Sequence, residues 1–173
     1  MADIPAFDDL LRSADGVEQP GSYARFYPPG SEADLRFRLM RRMVVGARRW
    51  RVRVDQALQA SGQSQARWEA LLCLAAHPDG LTQGTLARLV SVEDPTVARM
   101  LAALERDGLV ERAIGQADRR TRIVRISAAG LAAFAAMQAE TDRLRDDLLG
   151  GLDADDLAGG MRLLDRILAR LDA

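Results

Sequence analysis

Residues 82 to 126 read TQGTLARLVSVEDPTVARMLAALERDGLVERAIGQADRRTRIVRI. No other stretch constrains the fold as tightly. Thr82 is an N-cap type of residue, and Leu86 and Leu89 follow three apart on one face, which predicts a short supporting helix. Asp94-Pro95 pairs a capping side chain with the residue best suited to a first helical turn, and Val97, Leu101 and Leu104 then recur at core spacing. Asp107-Gly108 ends that second helix. Two runs, Leu109 to Ile114 and Thr121 to Ile126, flank Gly115-Gln116-Ala117 and read as a hairpin. Helix, turn, helix and ribbon in this order predict a mainly α fold with a small β-hairpin wing, a winged helix-turn-helix.

Removing the apolar stripe from the second helix leaves Pro95, Thr96, Arg99, Ala102, Ala103 and Arg106 on its other faces. Small residues around an arginine suit entry into a major groove about 12 Å wide. Thr96 and Arg99 are three apart near the N-terminus, where recognition helices meet base edges. A solvated amphipathic helix would carry the same pattern; the adjoining ribbon favours the DNA reading. Its tip is Asp118-Arg119-Arg120, and residues 110 to 126 hold five arginines against two acids, a local +3 in a chain of net −1. Such a loop suits phosphates or a narrow minor groove. Arg122 and Arg125 are phosphate-contact candidates by charge alone.

The words Val92-Glu93-Asp94-Pro95-Thr96-Val97-Ala98-Arg99, Leu104-Glu105-Arg106-Asp107-Gly108-Leu109-Val110 and Asp118-Arg119-Arg120 resemble the MarR family of bacterial transcription regulators. The proline at the start of the second helix looks closest to its SlyA-like branch. The resemblance covers roughly residues 64 to 131, and 34 to 173 by helix order alone. It implies a homodimer on double-stranded DNA with a pseudo-palindromic operator, more often a repressor, released by a small aromatic or phenolic ligand or by oxidation. Thr96 and Arg99 match the DNA-facing positions and Arg119 the wing arginine of the minor groove, while Asp118 and Arg120 match neighbours that brace the wing. The helix from Ser64 to Ala76 and the one before it border the family's effector pocket, making Trp50, Trp68, Arg48 and Arg49 candidates for holding an aromatic anion.

The expected organisation is an N-terminal extension over 1–32, a winged helix-turn-helix over 63–127, and a helical dimerisation region over 33–62 and 128–173. One helix from about Ala33 to Ala60 carries Leu35, Leu39, Met43, Ala47, Trp50, Val54 and Leu58 on one stripe. Two more run from about Ala128 to Leu149 and Asp155 to Leu171, the latter capped by Asp153. Between them, Ser64 to Ala76 sets Trp68, Leu71, Leu72 and Ala75 at core spacing before the turn His77-Pro78-Asp79-Gly80. Charge is segregated: residues 35–53 hold eight arginines and no acid, and residues 140–173 hold nine acids against five arginines.

Residue types argue against catalysis. The chain has one histidine, one cysteine and no lysine, too few for a His/Cys zinc site and none for a phosphate-loop lysine, so neither a metal nor a cofactor is expected. Asp153, Asp155 and Asp156 read as a helix start. Cys73 lies in the apolar run Ala70 to Ala75, where a thiol would be buried and slow to react. The longest uncharged run, Ile126 to Ala139, has 14 residues, below the ~20 of a spanning helix, and the N-terminus lacks a signal-peptide pattern, so a cytoplasmic location is expected. The alternative from another class is a winged helix used for protein contact without DNA.

Overall fold

A computed structural model of the chain describes residues 26–114 and 122–171. The chain divides into two units, the first ending at Trp50 and the second starting at Arg51. That boundary falls inside the first helix, α1 (Glu32–Leu58).

In the first unit, α1 starts on a tied-down acid. Asp34 is only 2% exposed; its Oδ2 accepts from Gly30 N at 3.0 Å, and its own N–H donates to Ser31 Oγ at 3.1 Å. Tyr27 stacks on Phe37 with ring centroids 4.8 Å apart.

The second unit opens with the end of α1, where Val54 and Leu58 are buried. A short 3-10 turn (Gln59–Ser61) leads into α2 (Gln65–Ala75), which is capped by Ser64 Oγ accepting from Arg67 N. Asp55 Oδ1 accepts from Gln65 N at 2.7 Å, which fixes where α2 leaves the last turns of α1. Then come β1 (Leu81–Thr82), α3 (Gln83–Leu89), α4 (Asp94–Arg106), β2 (Val110–Ile114), β3 (Arg122–Ile126), α5 (Ala128–Leu149) and α6 (Ala154–Leu171). Mainly helical, with a small antiparallel sheet, this is the winged-helix arrangement.

Fully buried Leu71, Leu74, Leu86, Val97, Leu101 and Leu104 form the core that holds α2, α3 and α4 together. The sequence stripe was correct for α4 and only partly so elsewhere. Leu72 and Leu89, expected inside, are 38% and 48% exposed, and Ala70, Leu74, Ala87 and Val90 take the buried positions. The apolar stripe on these short helices is wider than the surface they cover, so periodicity alone did not choose the face.

The sheet has three strands in the order β1-β3-β2, one more than the expected hairpin. β2 pairs with β3 from Val110↔Ile126 to Ile114↔Arg122, and β1 adds Leu81↔Val124 and Thr82↔Ile123. Gly80 makes this third strand reachable. It sits at φ +87°, and a Cβ there would come within 2.8 Å of both Val124 O and Arg125 Cγ, so only glycine passes this close to β3. Arg125 donates from Nε to Asp79 O at 3.0 Å and braces this turn.

Ser127 begins α5 and stitches it to the exit of α4. Its Oγ accepts from Gly130 N at 2.9 Å and donates to Gly108 O at 2.7 Å, while its N–H donates to Leu109 O at 3.0 Å. On α6, Asp153 Oδ1 accepts from Asp156 N at 2.8 Å as the expected cap. Leu157, Met161, Leu164, Leu168 and Leu171 then follow at alternating four and three spacing, all exposed. No helix among the described residues is long and apolar enough to cross a membrane.

Candidate nucleic-acid interface

α3 and α4 meet through a tight turn. Thr82 caps α3, its Oγ1 accepting from Thr85 N at 3.1 Å. The chain reverses at Ser91, a non-glycine residue at φ +51°, with Val92 N donating back to Ala87 O at 3.0 Å. Glu93, not Asp94, occupies the N-cap of α4, and no side chain closes that end. Asp94 and Pro95 are its first helical residues, which corrects the expected cap by one position. Pro95 has no N–H to satisfy, Thr96 N and Val97 N both donate to Glu93 O at 3.0 and 3.2 Å, and Asp94 contributes through the helix dipole.

α4 therefore has two opposed faces. Val97, Leu101 and Leu104 are fully buried, whereas Pro95, Thr96, Arg99, Ala102 and Arg106 are exposed. Thr96 and Arg99 are brought together as expected, with Arg99 Nη2 3.4 Å from Thr96 Oγ1. That bond is long and exposed, so it pre-orients the guanidinium without holding it against a better acceptor. Arg122 is exposed at the start of β3. Arg119 and Arg120 lie outside the described residues.

The C-terminal end of α4 is held on two sides, which sequence reading missed. Arg67 Nη2 on α2 donates to Asp107 Oδ2 at 2.6 Å, and Arg112 Nε on β2 donates to Glu105 Oε2 at 2.9 Å. Arg67 and Asp107 are 40 residues apart, and Arg112 and Glu105 lie on different elements 7 apart, so neither pair leaves a periodic pattern to read.

Between the last turn of α1 and the middle of α5 lies a cavity of about 300 Å³, walled by Leu58, Ser61, Gln63, Met137 and Glu140 with several alanines. Gln63 Oε1 is buried there with no hydrogen-bond partner. None of Trp50, Trp68, Arg48 and Arg49 lines it. Trp68 donates from Nε1 to Gln138 Oε1 at 3.1 Å, joining α2 to α5, and Arg48 and Arg49 are exposed on α1. Cys73 is half-buried, more open than expected, and its thiol is nonetheless pushed above the ordinary value, chiefly by burial and then by Glu69. His77 Nδ1 lies 2.7 Å from Cys73 O and finishes α2.

Comparisons with known proteins place this geometry. A family model described as the MarR family matches residues 64–121. The crystal structure of the transcriptional regulator PA3341 is 40% identical, with a TM-score of 0.70, over 75% of this chain and 95% of that one. A MarR family transcriptional regulator from Silicibacter pomeroyi is 28% identical, with a TM-score of 0.74, over 85% of this chain and 99% of its own. The S. aureus MepR–DNA complex is 25% identical, with a TM-score of 0.67, over 76% of this chain and 94% of MepR.

Proposed function

This chain belongs to the MarR family of DNA-binding transcription regulators, and from that premise we propose that it is a homodimeric, sequence-specific repressor released by a small aromatic or phenolic ligand. The observation that carries the reading is the exposed face of α4, where Thr96 and Arg99 stand near the helix start opposite a fully buried stripe. MepR was solved with DNA, which supports the same use of the same fold here. Pro95 in the first turn of α4 supports a SlyA-like placement within the family.

Each subunit sets α4 into a major groove, and the two grooves lie about one helical turn apart, ~34 Å. Arg99 reads a base edge, Thr96 pre-orients it, and Arg106 and Arg122 meet phosphates. From the wing, Arg119 enters the minor groove and Arg120 braces it. The exposed apolar seam of α6 supports a dimer, because a contiguous stripe of this kind on a helix is normally covered. The acidic C-terminal helices then face the arginine-rich α1 of the partner.

The cavity beside α5 is at the lower end of ligand-pocket sizes, ~300–1,000 Å³, and fits a single-ring ligand. Because Trp50, Trp68, Arg48 and Arg49 do not line it, the ligand lies against Leu58, Ser61, Gln63, Met137 and Glu140 instead. A bound ligand that favours another separation of the two reading heads costs the dimer its match to both half-sites. The protein acts by binding, not by catalysis.

Selection of duplexes from a random-sequence pool tests the reading. Wild type should enrich an inverted repeat, and Arg99→Ala should lose about 1–3 kcal/mol at one base pair per half-site while keeping the rest of the motif. Failure of the wild type to enrich any sequence would overturn it.

A further inference from the structure

Helical geometry gives the two ion pairs at the end of α4 a common purpose. At ~100° per residue, Val97, Leu101 and Leu104 fall within ~60° of one another, so the apolar contact of α4 is a narrow seam. Met100 and Ala98 flank it, both half-buried, so the seam fixes the depth of the helix more firmly than its roll. Glu105 lies ~80° to one side of Val97 and Asp107 ~80° to the other, and each carboxylate is held by an arginine from a different neighbour. Arg67 reaches Asp107 from α2, and Arg112 reaches Glu105 from β2.

We propose that these opposed ion pairs, Arg67–Asp107 and Arg112–Glu105, are outriggers that set the roll of the recognition helix and so select which base edges Thr96 and Arg99 address. The proposal rests on the DNA-binding reading above. Side-chain tips on a helix lie ~5–6 Å from its axis, so a 20° roll moves them by ~2 Å, enough to break hydrogen bonds that need 2.7–3.2 Å. Arg67 is the tighter anchor: its side chain is 18% exposed and its Nε is buried with no acceptor, so among the described residues Asp107 orients the guanidinium. Both carboxylates are about half exposed, at 41% and 44%. Such pairs contribute little to global stability, which separates a positioning role from a merely structural one.

Removing the acids gives a test in which rival explanations predict opposite signs. Asp107→Asn and Glu105→Gln delete negative charge beside the DNA, so charge alone predicts tighter binding, and an acid at a helix C-terminus opposes the dipole, so the helix should not weaken. Full-length single and double variants are titrated by fluorescence anisotropy against the duplex the wild type selects and against a scrambled one. The expected result for the double variant is a loss of about tenfold or more on the selected duplex, equivalent to ~1.4 kcal/mol, with scrambled-duplex affinity equal or higher and an unchanged melting temperature. Selected-duplex affinity that stays level or improves would overturn the proposal.

A second measurement needs no DNA. A nitroxide on Ala102→Cys, in a Cys73→Ser background, should broaden its population of positions in the double variant, and an unchanged spin-label spectrum would also overturn the proposal. A wild type that selects no duplex would sink the DNA-binding reading alone, because the label still reports whether the roll has loosened.

Discussion

Replacing Gly130 with alanine sets a local preference against a tertiary contact. Inside a helix alanine is favoured over glycine by about 1 kcal/mol, so propensity alone predicts a more stable protein. The third residue of α5, however, faces the chain leaving α4: a Cβ on Gly130 would lie 2.0 Å from Leu109 O and 2.8 Å from Ile126 Cγ1. Leu109 O must retreat by about 1 Å to reach even a tight contact, and that carbonyl is the acceptor for Ser127 N at 3.0 Å. Overpacking against backbone costs ~1–3 kcal/mol, and weakening the hydrogen bond adds ~1 kcal/mol. After the propensity gain, a net loss of roughly 1–3 kcal/mol remains.

For a chain of this size each kcal/mol shifts the melting temperature by ~2–4 °C, so calorimetry on Gly130→Ala should show a fall of roughly 2–12 °C. Gly84→Ala is the control. It lies in α3 with nothing within 4 Å of its Cβ, and should melt at or slightly above the wild type. A Gly130→Ala protein as stable as the wild type would refute the claim that α5 is stitched to the exit of α4 at this point.

Three further outcomes follow from individual contacts. Ser127→Ala removes both a helix cap and the bond to Gly108 O, and chemical denaturation should register a loss of about 1–2 kcal/mol. Cys73 should react with iodoacetamide at pH 8 more slowly than free cysteine; Glu69→Gln should speed it only in part, because burial is the larger cause. Since the folded state resists forming this thiolate, its contribution to stability is complete below the ordinary thiol value of 9.0 and declines as pH rises beyond it. On the proposed dimer, the wild type should sediment at twice the chain mass and Leu164→Asp, on the exposed stripe of α6, as a monomer.

How much of this was legible in the sequence depended on whether the cause was local. α4 was legible almost whole: three apolar residues spaced four and three apart and Gly108 at the stop are local signals, and only the cap was misplaced, from Glu93 to Asp94. α5 was legible to the residue because Ser127 and Gly150 bracket it. β1 was not, since two residues carry no alternation and it exists only because Gly80 lets it lie against β3. Arg125 was assigned by charge, and charge does not reveal the contact with Asp79 O, 46 residues away. The cavity was invisible for a similar reason. Its walls are mostly small residues whose spacing says nothing until α1 and α5 are packed. The arginines at 119 and 120 keep only their sequence argument.

Recognition of base sequence by the exposed face of α4 is tested most directly by the ratio of two affinities. At one physiological salt concentration, full-length protein should bind its selected duplex at least ~10³ times more tightly than a scrambled duplex of equal length and composition. A ratio near one would mean that the fold meets DNA only as a polyanion, or not at all, and would contradict that recognition.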